Sequence, residues 1–487
     1  MRRSDRSQSG LFLGVGLCAV TLAATGRCAT AQDSDLAEED APVSADETAD
    51  VEGADVCSEE HEDSSRFSDV ALPLQYDDVP PRPQPLLELG TPFMHPGPIG
   101  GGFELPTGAI WQPNFLVYGT YRTGFVGIDD GVPQSEWANR LDLFGNLQLS
   151  GTERILVGLR PLDEDGVFSG RRHEPFSESV DGSNTRVETL FFEGELGEIF
   201  PALDPHDFGQ KDIGFSVGRQ PISFQGGQLI DDNLDAVALT RNSLDLGGFS
   251  NLRITALFAW DDINRGGGAE DETARLYGLL GEADLTGSTV ELDVIRSTSD
   301  LTGDALFAGL GVTRRIGHLN STIRVNTSQP DEENSATTRG TLLFSELSWT
   351  PHHSEDLIYL DGFVGLDRYS SAARNPLAGG PLGRTGILFA ATGLGTVGSP
   401  LGNDADNAAG VAFGRQFIFA EGREQLILEA GARSLTDGSD QSAAALGCRY
   451  QRAFGQHLIV AYDLYGGYRE QGEDDFIGGR VELLFKF

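Results

Sequence analysis

The sequence predicts an all-β fold. We expect a transmembrane, antiparallel, up-and-down β-barrel of about 18 strands, with 16 as the alternative, behind a disordered acidic N-terminal tail. Three observations predict it. From Trp111 onward, polar and apolar residues alternate in about eighteen short runs. Beyond the N-terminal stretch, no run of about 18 apolar residues could form a spanning helix. The connections between the runs alternate between short and long, as in barrels that cross a membrane.

The first segment, 1–31, has the pattern of a secretory signal peptide. Three arginines stand within its first six residues, an apolar stretch covers 11–24, and small residues at 29–31 suit cleavage. A lipoprotein site at Cys28 is the competing interpretation, and it is disfavoured because Arg27 stands where a small residue is expected. The mature chain would then begin at Gln32, outside the cytoplasm.

The second segment, 32–72, predicts a disordered tail on the periplasmic side. Residues 32–69 hold 15 acidic residues against one basic residue and have few large apolar residues to bury. A spacer is the favoured role, and a tether or cation buffer is the alternative. The third segment, 73–110, is rich in Pro and Gly and predicts an extended linker. Cys57 and Cys448 are the cysteines left after cleavage, one in the tail and one in a predicted strand, so we expect no structural disulfide.

The fourth segment, 111–487, is the predicted barrel. Its strands are predicted at 113–127, 138–150, 153–161, 186–196, 212–220, 233–241, 251–260, 274–284, 288–296, 304–316, 318–328, 338–350, 355–367, 409–420, 424–434, 441–453, 456–468 and 475–487. Even-numbered strands end mostly in short turns, with 197–211 and 242–250 as exceptions. The connections 161–185, 261–273 and 368–408 are long. A soluble sandwich has no reason to sort loop lengths in this way, so the short turns are expected in the periplasm.

The last fourteen residues, DDFIGGRVELLFKF, form an alternating strand that ends in an aromatic residue. Ile477, Val481, Leu483, Phe485 and Phe487 share the apolar face. This ending resembles that of bacterial outer-membrane β-barrels, whose assembly machinery reads such a strand. The resemblance implies a place in the outer membrane, with lipid and the assembly machinery as partners.

Residues 137–163 (WANRLDLFGNLQLSGTERILVGLRPLD) and 218–242 (GRQPISFQGGQLIDDNLDAVALTRN) resemble the alginate-export type of outer-membrane porin domain. The similarity covers about a third of the barrel. The family implies eighteen strands and an Arg-rich, anion-conducting interior that passes a polyuronate outward. This chain departs from the strongly basic pattern, since its predicted inward positions hold as many carboxylates as arginines.

The predicted inward side chains are the candidate pore lining. The arginines are Arg140, Arg154, Arg160, Arg253, Arg315, Arg324, Arg433, Arg449 and Arg480. The carboxylates are Asp142, Glu193, Glu195, Glu291, Asp293, Asp361, Glu429, Asp463 and Glu482.

Two further groups are candidates for the pore. Arg219 and Arg415 recur in the tripeptide Gly-Arg-Gln. They are predicted either at the constriction, if a bulge turns them inward, or at the rim of the barrel. Asp231, Asp232 and Asp235 follow a Gly-rich stretch. They predict an external loop folded into the pore, with a Ca²⁺ site as the less favoured alternative.

Composition and motifs exclude several function classes. A net charge of −39 argues against nucleic acid as a partner. The sequence contains no G-x-S-x-G, H-E-x-x-H or phosphate-binding glycine loop, and the eight His are scattered, so we expect neither an enzyme nor a cofactor. A plugged receptor is disfavoured because the stretch before the barrel is too polar to fold as a plug.

These observations predict an outer-membrane channel that passively conducts small or polymeric polar or anionic solutes, with alginate-like polysaccharide as one candidate. The alternative is a structural or adhesive barrel whose external loops bind partners.

Overall fold

The computed structural model describes residues 84–90, 101–164, 166–203, 212–244, 248–265, 269–332, 335–390, 394–438, 441–470 and 475–487. The predicted signal peptide and acidic tail lie outside the described residues, as does part of the predicted linker. In its described part, the linker is not simply extended. Leu87–Gly90 pairs antiparallel with Asn114 to Val117 of the first barrel strand, and Phe103–Glu104 pairs with Ile110–Trp111.

Eighteen antiparallel strands form a closed barrel, the number that the sequence predicts. They are β1 Asn114–Asp129, β2 Gln134–Gln148, β3 Arg154–Leu159, β4 Val187–Glu195, β5 Ile213–Phe224, β6 Ile230–Arg241, β7 Asn251–Asp261, β8 Arg275–Leu285, β9 Ser288–Thr298, β10 Ala305–Ile316, β11 Leu319–Pro330, β12 Gly340–Trp349, β13 Leu357–Asp367, β14 Ala408–Phe419, β15 Glu424–Leu435, β16 Ser442–Phe454, β17 Leu458–Arg469 and β18 Asp475–Lys486.

The barrel closes between its last and first strands. Lys486 lies opposite Thr120, and the backbones of Gly119 and Phe487 exchange two hydrogen bonds of 2.8 and 3.1 Å. Every neighbouring pair of strands in between is antiparallel. Closure therefore removes the free edges that an open sheet would expose.

The alternation of side chains explains why these segments form strands. On β2, Leu141, Leu143 and Leu147 point outward, while Asp142 and Asn146 are buried in the interior. The same period of two places a band of exposed, large apolar side chains on the outer surface. These include Leu239, Ile254, Leu279, Leu292, Leu310, Ile323, Leu343, Val411, Leu428, Leu446 and Leu464.

The connections differ in length between the two ends of the barrel. The short-turn end carries 286–287, 317–318, 420–423 and 455–457, together with the longer 196–212 and 242–250. The long-loop end carries 160–186 and 368–407. The long connections lie at the predicted end, but the sorting is incomplete, because the connections 130–133, 225–229, 299–304, 436–441 and 470–474 at that end are short.

The remaining elements are short. Helix α1 is Leu196–Ile199, and 3₁₀ turns cover Pro201–Leu203, Gln225–Gly227, Pro376–Ala378 and Ala420–Gly422. Val167–Glu174 pairs antiparallel with Ser135 to Asn139 of β2, beyond the stretch of β2 that pairs with β3. The other short strands are Asp163–Glu164, Glu178–Val180, Asn264–Arg265, Ala269–Glu270 and Ala373–Arg374. In the part of the chain that the structure describes, no helix is long and apolar enough to span a membrane.

Candidate functional site in the barrel interior

Two segments from the long-loop end fold into the barrel interior, and the first is a hairpin. The ladder between β5 and β6 continues to Phe224 and Ile230, whereas β5 leaves its other neighbour at Arg219 and β6 leaves its other neighbour at Asp235. The hairpin 220–234 therefore extends beyond the wall of the barrel. Neither β4 nor β7 pairs with residues 220–234, so this part of the hairpin can bend toward the barrel interior.

The tip of the hairpin reaches the inner faces of other strands. The Gln225 amide donates to the Asp293 carboxylate of β9 at 2.7 Å, and the Asn326 amide of β11 donates to the Gln228 side chain at 3.1 Å. Gly226 has a φ of +63°, in the left-handed region that favours glycine. A Cβ at this position would lie 3.1 Å from the guanidinium carbon of Arg324. The tip is thus fitted closely against the opposing side chains.

Apolar packing holds the hairpin in the interior. Leu229, Ile230 and Leu234 are fully buried, and they pack against inward side chains of the wall that include Leu276 and Phe307. Full burial of a Leu or Ile side chain contributes about 1.5–3 kcal/mol. The hairpin is therefore a stable part of the interior.

The second infolded segment is the loop 368–407, which we call the long loop. It adds a short parallel strand to the hairpin, Ala373–Arg374 beside Ile230 and Asp231. Its Tyr369 and Ser371 hydroxyls both donate to the Gln228 carbonyl, at 2.9 and 2.6 Å. Hydrogen bonds of this kind join the two segments into one constriction.

A buried arginine strengthens this junction. The Arg374 guanidinium donates to the carbonyl of Gly227 in the hairpin and, at 3.0 Å, to that of Ala378 in the long loop. Burial lowers the pKa of Arg374 to about 10, so the side chain remains charged at neutral pH. Backbone carbonyls surround this charge, which lets it stay ionised inside the protein.

Beyond the hairpin, the long loop is anchored to two wall carboxylates. Glu429 of β15 accepts from the N–H groups of Ile387 and Leu388, at 2.9 and 2.7 Å. Glu136 of β2 accepts from the N–H and hydroxyl groups of Thr396. Both carboxylates are buried. Charge-assisted hydrogen bonds are stronger than neutral ones, so these two carboxylates fix the path of the loop.

Apolar contacts accompany these anchors. Leu388 and Phe389 of the long loop are fully buried and belong to one cluster with Val126, Phe344 and Phe363 of the wall. These contacts pack the long loop against the inner face of the wall and narrow the barrel interior.

The charged side chains of the interior form ion pairs along the wall. Arg140 and Arg160 both contact Asp142, at 2.8 and 3.1 Å. Further inward pairs are Arg154 with Glu193 at 2.5 Å, Arg253 with Glu282 at 3.4 Å, Arg324 with Glu346 at 2.6 Å, Arg449 with Asp463 at 2.9 Å, and Arg433 with Asp404 of the long loop. Arg480 is buried opposite Asp463. The interior is lined by paired charges of both signs.

Comparisons with known proteins bear on the fold. No family model matches this sequence, and no curated protein matches it. The outer membrane protein opdK from Pseudomonas aeruginosa matches over 76% of this chain and 98% of its own, at 12% identity and a TM-score of 0.52. Pseudomonas aeruginosa OccK5 (OpdH) matches over 77% and 98%, at 12% identity and a TM-score of 0.50. A structure of Pseudomonas aeruginosa OpdK with vanillate matches over 76% and 98%, at 12% identity and 0.52. The likeness establishes the barrel fold.

Three predicted pore residues lie elsewhere. Arg219 is on the outward parity of β5, near the long-loop end, where it pairs with Asp235 at 3.0 Å and with Asp262. The ladder with β6 keeps its register at Gly218, so no bulge turns Arg219 inward. The prediction that Arg219 and Asp235 line the pore is therefore wrong, and the rim alternative fits.

Arg415 also lies on the outer face, at the short-turn end. It contacts Asp356 at 2.8 Å and lies 4.5 Å from the ring centroid of Phe417. This hydrogen-bonded contact lowers the pKa of Asp356. Arg415 thus anchors the rim, and its predicted place in the pore is wrong as well.

The acidic stretch at the base of the hairpin does not converge on one point. Asp231 contacts Arg384 of the long loop at 3.1 Å, whereas Asp232 is buried and accepts from the Asn264 backbone and side chain, both at 2.9 Å. Asp235 faces Arg219 on the outside. Three carboxylates with three separate partners do not fit a Ca²⁺ site, whereas the infolded hairpin agrees with the favoured prediction.

Sequence reasoning predicted Glu482 as an inward residue but missed its buried partner. Arg122 of β1 contacts Glu482 of β18 at 2.6 Å, and both side chains are buried. The register could have revealed Arg122, because it lies directly opposite Arg140, and opposite residues share a face. Arg384 was missed because it belongs to the long loop, where no alternation exists to indicate its orientation.

Proposed function

We propose that this protein is an outer-membrane channel for the passive passage of small polar or anionic solutes. The observation that carries the proposal is the combination of an apolar outer surface with a charged interior that two infolded segments narrow. The apolar surface suits lipid, and the charged interior suits water and polar solutes.

The charged groups favour small organic anions as solutes. Arg384 is exposed at the constriction and has Asp231 as its ion-pair partner, and Arg154 is more than one third exposed. The comparison with OpdK and its vanillate supports the same class, since vanillate is a small organic anion. Export of a polyuronate chain is the second candidate from the sequence resemblance, and the narrowed interior favours the small solute.

Conductance tests the channel against the alternative of a structural or adhesive barrel. We expect the purified protein to form discrete, ion-conducting steps in a planar lipid bilayer. Adding a small carboxylate such as vanillate should reduce or interrupt the current, because the solute would occupy the same constriction. A protein that inserts, as shown by its resistance to protease in vesicles, yet carries no current would support the structural barrel.

Labelling of intact cells tests the proposed orientation, with the short-turn end in the periplasm. In a background in which Cys57 and Cys448 are changed to Ser, we expect Ser179→Cys to react with a membrane-impermeant maleimide. Thr286→Cys should react only after the outer membrane is permeabilised. Both residues are exposed, one in the 160–186 connection and one in the turn between β8 and β9. The reverse pattern of labelling would invert the topology.

A further inference from the structure

Three histidines cluster at the short-turn end of the barrel. His318 lies in the turn between β10 and β11, and His352 and His353 lie in the connection between β12 and β13. The ring centroids of His318 and His352 are 5.5 Å apart, and those of His352 and His353 are 5.4 Å apart. The chain has eight His in 487 residues, so three neighbouring imidazoles are a marked concentration.

The fold brings these side chains together although they are distant in sequence. Leu319 pairs with Trp349 in the ladder between β11 and β12, which sets the two turns side by side. The Arg315 side chain donates to the Gly317 carbonyl at 3.1 Å and fixes the first turn. Two ordered turns thus present the imidazoles on one small surface, and all three residues are exposed.

The spacing of the two ring pairs that include His352 suits a shared metal ion. With a metal–nitrogen distance of 2.0–2.1 Å and tetrahedral geometry, two imidazoles on one ion have ring centroids roughly 5 Å apart. In the side-chain positions of the structure, no group of three or more His, Cys, Asp or Glu among the described residues could hold a metal ion. The proposed site therefore requires the three imidazoles to reorient, and exposed side chains change rotamer within picoseconds to nanoseconds.

We propose that His318, His352 and His353 bind a divalent transition-metal ion of the Zn²⁺, Ni²⁺ or Cu²⁺ class, with water in the remaining positions. Imidazole is the ligand that these ions share. His352 is the central ligand, because it neighbours both other rings. The site lies on the rim, away from the constriction, and does not rest on the proposed function.

Isothermal titration of the untagged, detergent-solubilised protein with ZnCl₂ and NiCl₂ tests the site. We expect about one ion per chain. The substitution His352→Ala should weaken binding by at least about tenfold, because even outer-shell partners of metal ligands contribute 10–100-fold to affinity. His318→Ala should weaken it as well. X-ray absorption of the loaded protein should show scattering from imidazole ligands.

His457→Ala is the matched control. His457 lies in another connection of the short-turn end, with its Nδ1 2.8 Å from the Lys486 carbonyl oxygen, and it is outside the cluster. Its substitution should leave the affinity unchanged. The proposal is overturned if the wild-type protein binds neither ion, or if His352→Ala binds as tightly as wild type. Because the three positions are exposed turn residues, the variants should keep the wild-type mobility shift on heating, which reports a folded barrel.

Discussion

Excision of residues 383–402, with Leu382 and Asn403 joined by two glycines, is expected to raise the single-channel conductance about twofold or more. The reason is that a barrel of 16–18 strands without a plug leaves an aqueous channel. The Leu382 N–H donates to the Asn403 carbonyl at 3.0 Å, so the two ends are close enough to be joined. The excision removes both anchored stretches of the long loop, at Ile387 and at Thr396, and leaves the contacts of 369–375 with the hairpin in place.

The barrel itself should survive the excision. Hydrogen-bonded ladders between neighbouring strands hold the wall together, and β13 pairs directly with β14 below the long loop. The cost is the exposure of inward apolar residues such as Val126 and Phe363 to water in the pore. Planar-bilayer recordings of the two proteins at the same salt concentration provide the measurement.

Glu429→Gln is the matched control, because it keeps the loop and weakens its anchor. A neutral amide gives weaker hydrogen bonds than a carboxylate, about 0.5–1.5 against 1.5–3 kcal/mol each. We expect the wild-type conductance level with added brief openings to a larger level. If the excised protein conducts like wild type, the long loop does not limit the current, and the path must lie elsewhere.

The fold was predictable because a barrel in a membrane imposes a local rule on every strand. One face meets lipid and the other meets the interior, so the period of two persists along the whole chain. Each of the eighteen predicted strands overlaps an observed one, and the faces of β2, β7 and β17 are as predicted. Once an even number of alternating strands is predicted, the closed barrel follows without further information from the sequence.

The infolded segments were only partly predictable, because long-range contacts position them. The prediction ended one strand at 220 and began the next at 233. The ladder in fact continues to Phe224 and from Ile230. The hairpin bends inward because its two strands extend beyond their other neighbours, β4 and β7. No local sequence pattern reveals where those neighbours end.

The candidate pore lining shows the same limit. Alternation indicates which face a side chain occupies, and it placed Arg140, Arg154 and Arg324 on the inward parity. Alternation does not identify the ion-pair partner of a side chain. Arg324 and Glu346, for example, come into contact only because of the register between β11 and β12. Parity also argued against Arg219 as an inward residue, and that local argument was correct.

Replacing Arg140, Arg160 and Arg324 together by Gln is expected to shift the reversal potential toward cation preference. The change frees carboxylates from their basic partners, among them Asp142, which loses both, and Glu346. A passing ion several ångströms from each charge in water-like surroundings feels about 1 kcal/mol or less. Three such charges should therefore change the anion-to-cation permeability ratio by about threefold or more, while no single substitution closes the channel.

The matched control changes three arginines that lie outside the interior. These are Arg219, Arg296 and Arg415, whose side chains face outward from their strands. Each forms an ion pair with a carboxylate near one rim of the barrel. Replacing these by Gln alters the net charge of the protein equally. At 0.1 M salt, where the Debye length is about 10 Å, the control should keep the wild-type reversal potential. The shift in the interior variant should shrink at 1 M salt, where that length is about 3 Å. Equal shifts in the two triple variants would mean that overall charge, and not a lining of arginines, sets the selectivity. An unchanged interior variant would remove these arginines from the path and the anionic solute with them.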